Sequence, residues 1–131
     1  MRSPSVWKSF GYAFEGIGHA LRTQRNARIH AVMIGLVSIA GLCTKPALGP
    51  VEWAVLALTM GLVCAAELLN TSLEAIVDRL EPEPHPLAKI AKDTAAGSVL
   101  VLAMTAVVVG VCVLGPGLLT RVWGLLVTRG P

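Results

Sequence analysis

From Thr94 to Leu119 the chain carries no charged residue. This run limits what the chain can fold into more than any other feature. About 20 apolar residues in a helix cover the hydrocarbon core of a bilayer. A second run, residues 51–70, is interrupted only by Glu52 near its start and Glu67 near its end. A third, residues 29–44, ends at Thr44-Lys45-Pro46. It is shorter, but Arg28 and Lys45 at its two ends can snorkel to the interfaces. The runs are continuous rather than alternating, which excludes a membrane β-barrel. Composition agrees: of 131 residues 54% are apolar and 15% charged, with a mean hydropathy of +0.69. Soluble domains carry about 25% charge, and a short chain buries a small share of its surface. A soluble globular enzyme is therefore excluded, and so is a disordered chain, which needs low hydrophobicity.

Residues 1–28 read differently. Val6, Trp7, Phe10, Phe14, Ile17 and Leu21 recur at helical spacing, with Lys8, Tyr12, Glu15, His19 and Arg22 elsewhere around the helix. This is the pattern of an amphipathic helix lying in the membrane interface. It has neither the compact apolar centre nor the cleavage site of a secretory signal. The predicted fold is all-α: a surface helix, transmembrane helices at 29–44, 51–70 and 94–119, and a polar, proline-rich connection at 78–93 with a short helix from Leu87 onward. Residues 120–131 form a weakly basic tail.

Basic residues in short flanks set orientation. Arg2, Lys8, Arg22, Arg25 and Arg28 precede the first span, and Arg79, Lys89 and Lys92 lie in the second connection. The opposite side has Lys45, Arg121 and Arg129. The N-terminus and the 78–93 connection are therefore expected to be cytoplasmic. The net charge of +3 is scattered rather than gathered on one face, so nucleic acid is not an expected partner. Cys43, Cys64 and Cys112 all fall in apolar stretches without CxxC spacing, and read as small buried residues.

The chemistry concentrates where the second span ends. Glu67, Asn70, Glu74 and Asp78 are spaced three, four and four. At about 100° per residue they fall within roughly 80° of one another, on one face about 16 Å long. A charge at bilayer depth costs at least about 2.5 kcal/mol, and acids one turn apart repel. The ridge calls for a compensating cation, and Mg²⁺ suits it as a hard ion usually shared with phosphates. Lys92 is a mobile cation suited to phosphate, beside Lys89 and Asp93, where a helix N-terminus would also favour an anion. Taken alone, Asp93 reads first as an N-cap and Lys89 as a topology marker. There is no GxxxxGK[ST] loop, kinase glycine loop, HExxH or GxSxG.

The run from Glu67 through Asn70, Glu74 and Asp78 to Arg79, followed by His85 and Ala91-Lys92-Asp93, resembles the signature of the prokaryotic diacylglycerol kinase family. The similarity reaches back to Tyr12, Gly16 and the segment Arg25-Asn26-Ala27-Arg28-Ile29-His30, covering roughly residues 5–118. That segment is more similar to the undecaprenol kinase branch. The resemblance implies one lipid-kinase domain over 1–131 in a bacterial cell membrane. Such a kinase transfers the γ-phosphoryl of ATP to diacylglycerol or undecaprenol and works as a homotrimer with shared sites. It implies Glu67 as general base and Glu74 as Mg²⁺ ligand, with Asn70 and Asp78 lining the site. It implies Tyr12, Glu83, His85, Lys92 and Asp93 on the nucleotide, and Arg28 on lipid. One position departs: where the family has a second metal-binding acid, this chain has Gln24, whose amide oxygen is uncharged. Two other readings compete. A non-catalytic membrane scaffold would consume no ATP. An ion or proton carrier would spread its acids across the bilayer, whereas these crowd one side.

Overall fold

A computed structural model of the chain describes residues 5–44 and 46–127. It contains four helices, α1 (Val6–Thr23), α2 (Arg25–Leu42), α3 (Pro50–Leu80) and α4 (Pro86–Val127), and no strand among the described residues. α3 and α4 pack most extensively, and α2 lies against both. α3 and α4 are long and apolar enough to cross a membrane. At about 1.5 Å per residue their 31 and 42 residues run about 46 and 63 Å. Both are longer than a hydrocarbon core of about 30 Å.

Helix boundaries differ from the sequence expectation in three places. The surface helix does not continue to residue 28. It stops at Thr23, Gln24 is extended at φ −97° and ψ 123°, and α2 starts at Arg25. The connection is also shorter than 78–93, because only residues 81–85 leave the helices. In the run Glu81-Pro-Glu-Pro-His-Pro86, each residue before a proline is pushed away from helical backbone. Pro86 itself suits a first helical position, where no N–H is needed. The helix that begins there is continuous with the third apolar run. Lys92 and Asp93 are therefore helix interior, and Asp93 is not an N-cap: it pairs with Lys89 one turn back. Third, the helix continues through the expected tail to Val127, passing Pro116. Lys45 and the outer residues Arg2 and Arg129, used above for orientation, lie outside the described residues.

The buried apolar set is small: Ala20, Ala27, Leu56, Val63, Ala66, Val99 and Leu114. Large apolar side chains face outward along α4, among them Leu100, Met104, Val107 and Val111. Trp7, Phe10 and Phe14 on α1 are exposed as well. A water-soluble chain would not leave so much apolar surface open. At the end of the molecule away from α3's acidic face, Gly41 of α2 faces Trp53 of α3. There the Arg121 Nη1 of α4 donates to the Cys43 carbonyl at 2.6 Å. That carbonyl ends α2, where orphan acceptors welcome a cation.

Candidate active site

The acidic face of α3 is divided between two clefts. The inner one, about 260 Å³, is lined by Glu67, Asn70 and Glu74 of α3, by Asn26 and His30 of α2, and by α4. Glu67 is 3% exposed and Asn70 7%. Asn70 Nδ2 donates to Glu74 Oε1 at 3.1 Å. Thr71 Oγ1 bonds back to the Glu67 carbonyl at 2.9 Å. The backbone N–H of Ala27 lies at the Glu67 carboxyl. Ala27 is the third residue of α2, and its N–H is one of the four that a helix start leaves unpaired. The break at Gln24 therefore brings the start of α2 to a buried acid. Two buried acceptors remain without a partner, Glu67 Oε2 and Asn70 Oδ1. Buried polar atoms are nearly always satisfied, so this pair marks a place built for a donor or a cation.

The outer cleft, about 630 Å³, lies beyond it, where α3 ends and α4 begins. Asp78, Glu83, His85, Lys92 and Asp93 all line it, and Glu81 joins them. Lys92 Nζ donates to Asp78 Oδ1 at 2.8 Å, tying the two helices together. The hydrogen bond to Asp78 raises the Lys92 ammonium above its ordinary value, and the charges of Asp78, Glu74 and Asp93 add to this. His85 Nδ1 accepts from the Leu87 N–H at 3.2 Å, so it caps α4 while facing the cleft. Asp78 sits one turn beyond Glu74, a rise of about 6 Å, so the clefts follow each other along one helix face.

Three expected site residues stand apart. Tyr12 lines a groove between α1 and α3, with Thr71 and Ser72. Gln24 occupies the α1–α2 break, half-buried, and is not among the residues lining the inner cleft. Arg28 folds back so that its Nη1 donates to the Arg22 carbonyl at 3.1 Å, satisfying the end of α1. Conversely, Asn26 and His30, quoted above only as part of the Arg25–His30 segment and given no role, line the inner cleft. The signal for them was the polar Asn26 and His30 at four-residue spacing in α2's first turns.

Two oxygen donors of the inner cleft could hold a metal. Glu74 and the Asn70 amide oxygen offer hard ligands side by side. Among the described residues no three His, Cys, Asp or Glu side chains converge as a metal cage. Mg²⁺ can be held by one or two carboxylates, with water and phosphate oxygens completing its shell.

The family model for prokaryotic diacylglycerol kinase matches residues 11–114. A diacylglycerol kinase from Synechocystis sp. is 48% identical over 120 residues, 90% of this chain and 67% of the relative. An undecaprenol kinase from Bacillus subtilis is 40% identical over 112 residues, 86% of this chain and 89% of the relative. A diacylglycerol kinase from Escherichia coli is 30% identical over 103 residues, 79% and 83% of the two chains. With the match running from α1 into α4 and spanning both clefts, the chain belongs to the prokaryotic diacylglycerol kinase family.

Proposed function

We infer that the protein is a bacterial membrane lipid kinase that transfers the ATP γ-phosphoryl to the hydroxyl of a membrane lipid, diacylglycerol or undecaprenol. The observation that carries this is the buried Glu67 carboxyl with an unpartnered Oε2, facing a cleft one step from a lysine-bearing second cleft. A scaffold has no reason to keep an unpaired carboxylate oxygen buried, since such groups are costly. An ion path would need acids along α4, which has none from Thr94 to Val127.

ATP is assigned to the outer cleft, with Lys92 on its phosphates and Glu83, His85 and Asp93 around the nucleotide. Tyr12 would have to come from another copy or a moved α1, since it faces a different groove. The lipid hydroxyl comes to Glu67, whose Oε2 accepts the proton as the hydroxyl oxygen attacks the γ-phosphorus. The bond from that phosphorus to the β–γ bridging oxygen breaks, and ADP leaves with the charge. Lys92 offsets charge on the transferred group, and catalysis is mainly positioning and electrostatics. Glu74 and Asn70 Oδ1 would hold Mg²⁺, which neutralises phosphate charge when bound. Gln24 would add a ligand only by a change at the α1–α2 break. Gln24→Glu is accordingly expected to leave the Mg²⁺ concentration at half-maximal rate unchanged, with the metal on Glu74 and Asn70. A lowered value would show that the break moves and brings residue 24 to the metal.

Three membrane crossings follow if α2 spans from Ile29 onward, with Arg28 at the interface and α1 lying flat on its exposed aromatic face. The N-terminus and both clefts are then cytoplasmic. A homotrimer would cover the apolar surface and complete the clefts. The test is one assay: purified protein in mixed micelles with ATP, Mg²⁺ and either lipid, counting lipid phosphate. Product from neither lipid overturns the reading.

A further inference from the structure

Glu67 takes up a proton in each turnover of the proposed reaction, yet it is only 3% exposed. The proton needs a way out, and His30 is placed to provide one. A second cavity at Glu67, about 170 Å³, lies between α1, α2 and α3. Its lining and that of the inner cleft have two residues in common, His30 and Glu67. These two side chains therefore form the partition between the cavities. The imidazole is near enough for its charge to act on the Glu67 carboxyl. His30 also lines a third cavity, about 370 Å³, in the apolar part of the molecule. Asn70 and Glu74 line neither the second cavity nor the third, so the partition extends past the candidate metal ligands.

Few other groups around Glu67 can take the proton. α1 and α4 bring only apolar side chains to the inner cleft and the second cavity. α2 brings Asn26, an amide, and α3 brings Cys64 and Glu74. Glu74 is already engaged by Asn70 Nδ2, and a neutral thiol gains no proton. That leaves His30. An imidazole ordinarily titrates near neutral pH and binds a proton about a hundredfold more tightly than a carboxylate does. His30 is half-buried, and Asn26, one turn nearer the start of α2, is exposed. A step from Glu67 to His30 thus carries the proton toward a stronger base and toward the open mouth of the cleft. Glu67 Oε2 has no partner, and either cavity is far larger than the roughly 30 Å³ share of one water, so a single water can bridge the two side chains.

Building on the lipid-kinase reading, we propose that His30 carries the proton away from Glu67 after each phosphoryl transfer. Glu67 Oε2 first holds the proton taken from the lipid hydroxyl. That O–H bond breaks toward the bridging water, which passes one of its own protons to the unprotonated ring nitrogen of His30, and the carboxylate is restored. The imidazolium then gives its proton to water beyond Asn26 and becomes neutral again. His30 acts through Glu67.

Two measurements test this. The first is lipid phosphorylation in mixed micelles with ATP, Mg²⁺ and either lipid, by the wild type, His30→Gln and His30→Ala, with and without added imidazole. Gln stays polar but takes up no proton. His30→Gln should lose about tenfold or more in kcat, a modest part of what acid–base groups contribute, while KM for ATP stays within about twofold, because binding is untouched. Imidazole should restore His30→Ala in proportion to the unprotonated fraction of the added base, since the vacated site opens on three cavities. A residue that only supports the fold would show no such dependence. The second measurement needs no turnover. It is an NMR titration of the His30 ring in detergent, its signal identified by its loss in His30→Gln. The midpoint should move by about half a pH unit or more in Glu67→Gln, as removal of a neighbouring carboxylate requires. Wild-type kcat in His30→Gln overturns the proposal. So does a His30→Ala variant that imidazole fails to restore, or a His30 midpoint that Glu67→Gln leaves in place. In each of those cases a wild type active on either lipid keeps the kinase reading standing. If the wild type phosphorylates neither lipid, the kinase reading falls and the proton exit falls with it, and a moved midpoint then shows only that the two side chains are neighbours.

Discussion

Replacing Glu67 by Gln and by Ala separates two jobs that the structure gives one side chain. The carboxyl lies at the Ala27 N–H at the start of α2, and its Oε2 lies buried without a partner. Gln is nearly the same size and keeps one carbonyl oxygen for Ala27. Its folding stability should therefore stay within about 1 kcal/mol of the wild type, the net worth of a typical hydrogen bond. It cannot take a proton at neutral pH, so kcat should fall by about 10²–10⁴, the usual share of general-base catalysis. That range corresponds to about 2.7–5.4 kcal/mol of barrier. Ala removes the acceptor as well. It leaves a buried N–H unsatisfied, at about 1–3 kcal/mol, and Ala27 is only 8% exposed, so water would not readily replace the partner. The assay is transfer of radiolabelled phosphate to lipid in mixed micelles, paired with thermal unfolding of each variant in the same detergent. The expected pattern is a stable, inactive Gln variant and an unstable, inactive Ala variant. A Gln variant retaining more than about a tenth of wild-type kcat would refute the base assignment, since even weak base catalysis exceeds that. Equal stability of the two variants would refute the role of Glu67 at the α2 start.

Lys92 should act on nucleotide far more than on folding. Lys92→Ala is expected to raise the KM for ATP by about tenfold or more, as losing a charge-assisted phosphate contact does, and to move the unfolding midpoint only slightly, because solvent screens the exposed pair with Asp78. Because contact with Asp78 raises the folded Lys92 pKa, what that contact contributes is complete below the unfolded lysine value of about 10.4. It is lost as pH rises through the higher folded value. KM for ATP should thus show no Lys92 titration up to that region and rise above it, and Lys92→Ala should lack the rise. Gly41→Ala places a Cβ about 2.7 Å from the Trp53 ring. It should destabilise by about 1–3 kcal/mol, as overpacking does, and Trp53→Leu should relieve it in a double-mutant cycle of unfolding midpoints. Arg121→Ala removes the charged donor to the Cys43 carbonyl. It should cost about 1–2 kcal/mol of stability, leaving KM for ATP unchanged because the contact lies at the end away from the clefts.

The acidic face was readable because it is local. Glu67, Asn70, Glu74 and Asp78 belong to one helix, and helical spacing alone puts them on one side. Lys92 and Asp93 were legible as polar residues near it, but their partners were not. Lys92 meets Asp78 across the α3–α4 turn, and Asp93 meets Lys89, since the helix starts at Pro86 and not near 93. The Glu-Pro-Glu-Pro-His-Pro run signalled a link but not how short it is. Gln24 carried no breaking residue, so the end of α1 could not be seen in the sequence. That end nevertheless aims the Ala27 N–H at Glu67.

The uncharged run opening at Thr94 committed the chain to a bilayer, because nothing in so short a sequence could otherwise cover it, and the spacing of the residual acids placed the chemistry on one helix. These follow from composition and helical period, which act along the chain. Packing decided the rest. It split the ridge into an inner and an outer cleft, brought Asn26, Ala27 and His30 to Glu67, and left Tyr12, Gln24 and Arg28 away from the inner cleft. It also made His30 and Glu67 the shared wall between that cleft and a second cavity. Those outcomes depend on which faces of separate helices meet, and the helical period within any one segment does not determine that.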